Sequence, residues 1–116
     1  MRIIEIDLDM SPGGHAPAVH VNQGDTDYTL LIHLYNSRGR FTVESGTSAK
    51  LRGRKADRTA YERSGSLSGQ NVTVAGGTDM TSAAGTGIFE VCLTHGGREL
   101  YSQNFQIHVE KKAEGE

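Results

Sequence analysis

The sequence predicts an all-β domain, an immunoglobulin-like β-sandwich of about seven to nine short, mainly antiparallel strands. Three observations carry that expectation. Apolar residues alternate with polar ones at period two in short bursts, turn-forming residues separate the bursts, and no Ala-, Leu- or Glu-rich window of helical period interrupts them. Glycine, at 15 residues, is concentrated in the separators.

Ile4, Ile6 and Leu8 alternate with Glu5, Asp7 and Asp9, giving a first strand with one apolar and one charged face. Ser11 to Pro17 gathers Gly and Pro, which supply unusual dihedrals and remove a ladder donor, and predicts a loop. Val19 and Val21 flank His20 in a short strand ended by a turn at Gln23-Gly24-Asp25-Thr26. Tyr28, Leu30, Ile32 and Leu34 then share one face of a strand running to Tyr35. Asn36 to Gly39 carries turn residues before a further strand at Phe41 to Val43, reached by a hairpin or by a crossing to another sheet.

Ala49 and Leu51, then Thr59 and Tyr61, alternate with polar residues around a bend at Arg52 to Asp57, which predicts two polar strands near a sheet edge. Val72 and Val74 mark another strand. Asp79 to Gly85 predicts one helical turn, with Asp79 as N-cap and Gly85 as its end. Phe89, Val91 and Leu93 share a face, Gly96-Gly97 suits the positive-φ positions of a tight hairpin, and Phe105, Ile107 and Val109 repeat the alternation beyond it. The domain is expected over residues 1–110, with a polar tail or the start of a linker at 111–116.

At 116 residues the chain holds one domain and excludes a two-domain enzyme. It is long enough to enclose one apolar core without metal or disulfide staples. A single cysteine, Cys92, excludes an internal disulfide and any CxxC site. Acidic residues interrupt the first ten positions where a signal peptide would be apolar, and no run reaches membrane-spanning length.

Catalytic constellations are missing from the pattern. No GxSxG elbow occurs, and Cys92 points opposite Phe89, Val91 and Leu93. His15, His20, His33, His95 and His108 lack metal-ligand spacing, and those on strands fall on the polar faces, where three of them meet on a metal only if their strands are neighbours. Asp7 with Asp9, and Asp25 with Asp27, are carboxylate pairs of a kind calcium or glycoside chemistry uses, but turn hydrogen bonding accounts for the second pair more simply. Gly85-Thr86-Gly87 opens a strand, so it lacks the helix a phosphate loop needs. No catalytic residue, cofactor or metal is expected.

Charge is distributed unevenly. The segment Arg38 to Arg63 holds eight of the twelve basic residues against three carboxylates, a net +5 that leaves −7 elsewhere and −2 for the chain. Arg38, Arg40, Lys50, Arg52, Arg54, Lys55 and Arg58 therefore form a candidate protein-docking surface for an acidic partner. The plainer reading is a basic guard against strand pairing at an exposed edge. Nucleic acid and membrane are not expected partners, since base-stacking aromatics are few and the net charge is negative.

Five ordered motifs together carry a resemblance. Val21-Asn22-Gln23-Gly24-Asp25-Thr26 before an alternating strand, Lys55-Ala56-Asp57, Asp79-Met80-Thr81-Ser82-Ala83-Ala84-Gly85, a hairpin, and Asn104-Phe105-Gln106-Ile107-His108-Val109 resemble the N-terminal domain of phage baseplate upper proteins. The likeness spans about Val19 to Val109. It implies an immunoglobulin-like sandwich without catalytic role that attaches a distal tail or receptor-binding component to the baseplate core. Implied partners are other phage tail or baseplate proteins, with self-association compatible, in a phage or prophage virion made in the bacterial cytoplasm without a signal peptide. The family's Lys-Pro-Asp-Gly turn is Lys55-Ala56-Asp57-Arg58 here. The alternative use of this architecture is a carbohydrate-binding or adhesion module, for which the absence of Trp and the presence of only Tyr28, Tyr35, Tyr61 and Tyr101 are unfavourable.

Overall fold

A computed structural model describes residues 2–11, 16–37, 39 and 41–113. Nine strands and one short helix follow one another as β1 (Arg2–Asp9), β2 (Ala18–Asn22), β3 (Tyr28–Tyr35), β4 (Ser48–Arg54), β5 (Ala60–Ser68), β6 (Asn71–Ala75), α1 (Thr78–Thr81), β7 (Gly85–His95), β8 (Arg98–Tyr101) and β9 (Phe105–Glu110). The all-β expectation holds.

The strands form one hydrogen-bonded path, β1-β3-β6-β5-β4-β7-β9-β2, with β8 attached to the far end of β7. Most pairs are antiparallel, but β1 runs parallel to β3 and β2 parallel to β9. β5 divides the path: Ala60–Gly65 pair with β4, while Ser66–Ser68 pair with β6. β1 approaches the far end of the path, with Arg2 Nη2 donating to His20 O of β2 (2.9 Å) and Gln103 N, in the connection before β9, donating to Asp9 O (2.8 Å). The sheet is nearly barrel-shaped.

Alternation explains the core. Leu8, Val19, Leu30, Ile32, Leu51, Val72, Val74, Val91, Phe105 and Ile107 are all inward residues of their strands and all buried. Tyr61, Phe89 and Phe105 make an aromatic run across it, Tyr61 meeting Phe89 edge-on at 5.8 Å and Phe89 meeting Phe105 at 6.3 Å.

Four local expectations need correction. Phe41 to Val43 is not a strand: the side chains of Phe41 and Val43 pack on the core, and Phe41 O accepts from Gln70 Nε2 rather than from a ladder. β4 is not near an edge, because it is paired along its length with β7 on one side and β5 on the other. The N-cap of α1 is Gly77, not Asp79, and the helix ends by Ser82, before Gly85 opens β7. Arg63 Nη1 instead holds the Asp79 carboxylate, at 3.0 and 3.3 Å. Lastly, Gly96-Gly97 (φ 57° and 79°) does make the tight hairpin, but it leads to β8 and not directly to β9. The break comes at Ser102: its N still donates to Val91 O, but its Oγ accepts from Val91 N in place of its carbonyl, both at 2.9 Å, and the chain rejoins β7 at Phe105.

The loop at Ser11 to Pro17 falls partly outside the described residues, as do His15, Arg38, Arg40 and the last three positions of the polar tail.

Candidate docking face

Because β4 alternates, Ala49, Leu51 and Gly53 face inward and Lys50, Arg52 and Arg54 form a stripe on the outer face. Arg52 sits directly between Glu62 of β5 and Glu90 of β7 in the strand register. Its Nε donates to Glu90 Oε2 at 3.0 Å, and its guanidinium lies 4.5 Å from the centre of the Tyr101 ring. The Glu90 bond pushes the Arg52 guanidinium still further above its usual range. Lys50 Nζ meets Glu62 Oε2 at 3.2 Å. Both cations are thus paired within the sheet.

Under this lattice lies Cys92, which the strand register places between Lys50 and Tyr101. It is fully buried although it points away from the main core, and burial pushes its thiol up. That makes it a poor nucleophile.

Arg54 and Arg58 differ. Arg54 Nη1 donates to Arg58 O (3.0 Å) across the β4–β5 turn, and Arg58 stands exposed in the left-handed region, at φ 71°. The turn is held by Lys55 N to Thr59 O (3.0 Å), by Arg58 N to Lys55 O (2.8 Å), and by Thr59 N and Oγ1 donating to Asp57 Oδ1 (3.1 and 2.6 Å). The Thr59 hydroxyl keeps Asp57 below the usual carboxylate range. Beside the stripe, Arg52, Arg54, Tyr61, Glu62 and Glu90 line a shallow depression of about 370 Å³.

Lys55 anchors the turn to α1: its Nζ donates to Asp79 O (2.9 Å) and approaches Ser82 Oγ (3.3 Å). The Gln23–Thr26 turn meets the same helix from the other side. Gly24 N donates to Thr81 O (3.2 Å), Thr81 Oγ1 to Asp25 O (2.9 Å) and Gln23 Nε2 to Ser82 O (2.9 Å). Three motifs far apart in sequence therefore meet at one junction. Asp25 also closes its own turn, with Asn22 N donating to Asp25 Oδ2 (2.9 Å), as turn chemistry predicts. Arg63 leaves the stripe and faces α1.

The histidines are dispersed. His20 and His108 are cross-strand neighbours with ring centres 5.7 Å apart, whereas His33 is on β3 between Glu5 Oε1 and Asn71 Oδ1, each 2.9 Å from a ring nitrogen. The Glu5 contact holds His33 above the usual imidazole range. His95 is near Glu44 at 4.0 Å. Among the described residues, no group of three or more His, Cys, Asp or Glu is placed to hold a metal ion, and no helix is long and apolar enough to cross a membrane.

Sequence reasoning missed the buried polar seam at Asp9, read as solvent-facing. Asp9 Oδ1 accepts from Ser11 N (2.8 Å) and Ser37 N (3.2 Å), Oδ2 accepts from Ser37 Oγ (2.6 Å), and Asp9 N donates to Gln103 Oε1 (2.9 Å). Its partners lie up to 94 residues away, so no local signal marks it. The sequence pair of Asp7 and Asp9 is thereby split, since Asp7 stays exposed.

Neither a protein-family model nor a curated protein matches this chain. Among solved structures, the fold is similar to the N-terminal domain of phage TP901-1 ORF48, with a TM-score of 0.75 at 14% identity over 96% of this chain and 100% of that one, so the likeness to an N-terminal phage domain holds at the level of fold.

Proposed function

We propose that the chain is a non-enzymatic structural module of a phage or prophage tail, attaching a distal tail or receptor-binding component to the baseplate core through protein contacts. The observation that carries this reading is the likeness in fold to an N-terminal phage domain over nearly all of the chain. The meeting of the Gln23–Thr26, Lys55–Asp57 and Asp79–Gly85 motifs at one junction supports it, because those residues then serve the scaffold and not a reactive site. We assign the sheet to the immunoglobulin-like sandwich class, since β5 splits the path into two faces around one core. In this reading residues 1–110 are the domain and 111–116 a polar tail or the start of a linker.

The docking surface is the basic stripe and turn: Lys50, Arg52, Arg54, Lys55 and Arg58, together with Arg38 and Arg40 by sequence. Arg54 and Arg58 contribute most, because Lys50 and Arg52 already face Glu62 and Glu90. That β4 itself is paired on both sides supports docking over the guarding of an edge as the use of the stripe.

Purified virions or tails should contain the chain. Double charge reversal, Arg54→Glu with Arg58→Glu, should weaken capture of baseplate proteins at least tenfold at low salt, with a smaller effect at high salt. Unchanged capture at low salt would remove the interface from this face. Absence of the chain from tails, with saturable binding to a cell-wall glycan instead, would replace the reading by the adhesion alternative.

A further inference from the structure

β8 ends as a bare strand edge. It pairs with β7 alone among the described residues, and all four of its residues are exposed. The two-residue turn at Gly96-Gly97 fixes which backbone groups are spent on β7. In such a hairpin His95 and Arg98 form the first hydrogen-bonded pair, Leu93 and Leu100 the next, and Val91 and Ser102 the one after. The bond from Ser102 N to Val91 O, at 2.9 Å, agrees with that phase. The N–H and C=O of Glu99 and Tyr101 consequently point away from β7.

Leu100 lies beside this edge and is 48% exposed. It faces the same side as Leu93, over a groove of about 440 Å³ whose apolar lining is Phe41, Val43, Leu93 and Leu100. A row of free backbone groups next to an uncovered apolar side chain is a template for strand addition. The edge carries no Lys or Pro, and its two charges, Arg98 and Glu99, are of opposite sign, so it does not repel a strand by net charge.

The pattern of the edge selects its occupant. If a second β8 approaches antiparallel across a two-fold axis perpendicular to the sheet, residues of equal parity must oppose each other. Glu99 opposite Glu99 of the copy would set like charges together. Tyr101 opposite Tyr101 would engage only one outward residue from each strand. The remaining register sets Glu99 opposite Tyr101 of the copy, so both outward residues of each strand bond, four bonds in all. Glu99 already accepts from the Tyr101 hydroxyl within one chain, which demonstrates that the two side chains are compatible. That register also sets Leu100 against Leu100 at the axis, in the non-hydrogen-bonded position where opposed side chains come closest.

We propose that β8 is a self-association edge, and that a second copy of this chain pairs with it antiparallel, Glu99 to Tyr101, with the two Leu100 side chains closing over the groove mouths. This inference does not depend on the phage reading. Four residues a side make a small interface, so the isolated chain should dimerise weakly and the contact should matter most where copies are already held close together.

The test is sedimentation equilibrium of the full chain, with amide hydrogen exchange read alongside. Wild type should show a monomer–dimer equilibrium in the high-micromolar range, and the Glu99 and Tyr101 amides should gain protection as concentration rises. Leu100→Lys and Leu100→Glu should each weaken dimerisation at least tenfold, and their equimolar mixture should restore it as a heterodimer, because position 100 opposes only itself across the axis. Leu100 is half exposed, so both variants should keep the wild-type fold by circular dichroism. A wild-type chain still monomeric at millimolar concentration overturns the proposal, as does a dimer indifferent to Leu100→Lys or a mixture that stays monomeric. A wild type that remains monomeric while a heterologous extended peptide protects the same two amides assigns the edge to another partner and overturns it equally.

Discussion

At Arg58 the left-handed backbone brings Cβ close to the following carbonyl oxygen, a strain of about 1–2 kcal/mol for an L-residue. Glycine escapes the strain but loses more freedom on folding, about 0.5–1 kcal/mol. Arg58→Gly should therefore stabilise the domain by about 0.5–1 kcal/mol, read as a higher urea midpoint at unchanged slope; a lower midpoint would show that the guanidinium makes a stabilising contact. The sequence had marked this residue as a departure from a turn that ends in glycine in the similar family, and the structure shows why the turn survives: its bonds come from the side chains of Asp57 and Thr59 and from the backbone of Lys55, Arg58 and Thr59, none of which needs the side chain of residue 58. Tyr28 is the converse case. Alternation correctly placed it inside, but nothing in its neighbours foretold that its hydroxyl would be buried without a hydrogen-bond partner among the described residues. Burial pushes its pKa up to about 12. Tyr28→Phe removes an unsatisfied group and keeps the ring, so its stability should stay within about 1 kcal/mol of wild type or rise, whereas Phe105→Ala, a fully enclosed ring, should lose about 3–5 kcal/mol in the same denaturation series.

Elements were legible where one face is apolar and illegible where pairing decides. β3 and β9 alternate cleanly and were read to within a residue or two. β4 was read as near an edge because its outer face is basic, yet two of the three cations on that face, Lys50 and Arg52, are paired across the ladder with Glu62 and Glu90, and those partners become visible only with the register. β8 was not read at all, since in four residues with Leu100 and Tyr101 adjacent there is no alternation to read. Helix α1 was found but displaced, because the sequence cannot show that Arg63 claims the carboxylate expected to cap it. The docking residues follow the same division: their grouping was read from charge, with Arg52 to Asp57 as a bend, while the continuation of β4 through Arg54, which puts Lys50, Arg52 and Arg54 on one face, and the anchoring of the turn through Lys55 to α1 are tertiary facts. Close packing between elements gives a prediction of its own. A Cβ on Gly53 would fall 2.1 Å from Ile88 O and 2.7 Å from Phe89 Cα, both backbone atoms of the adjacent β7. Gly53→Ala must push β4 and β7 apart and should cost about 3 kcal/mol, read by denaturant titration. A loss below about 0.5 kcal/mol would show that the two strands are less closely joined than described.

Closure of the whole molecule depends on contacts that periodicity never encodes. The two parallel pairs, β1 with β3 and β2 with β9, bring chain segments together without any intervening hairpin. What joins β1 to the β8–β9 connection, and so closes the sheet, is the polar seam in which Asp9 receives Ser11 and Ser37 while its backbone exchanges bonds with Gln103. The Ser37 hydroxyl, with the Ser11 amide next, holds the Asp9 carboxyl below its ordinary value of 3.8. A carboxylate whose folded pKa is depressed adds stability that is complete above the unfolded value and disappears as pH falls through the folded one. The seam should therefore hold at neutral pH and weaken in acid, beginning below about pH 5. Asp9→Asn tests this, because the amide nitrogen would present donors to the Ser37 donors. The variant should be less stable than wild type at pH 7, and its deficit should shrink as both are titrated into acid, because protonation costs wild type the same charge. Urea midpoints measured through that range decide it: parallel curves would mean that the Asp9 charge does not hold β1 to the β8–β9 connection.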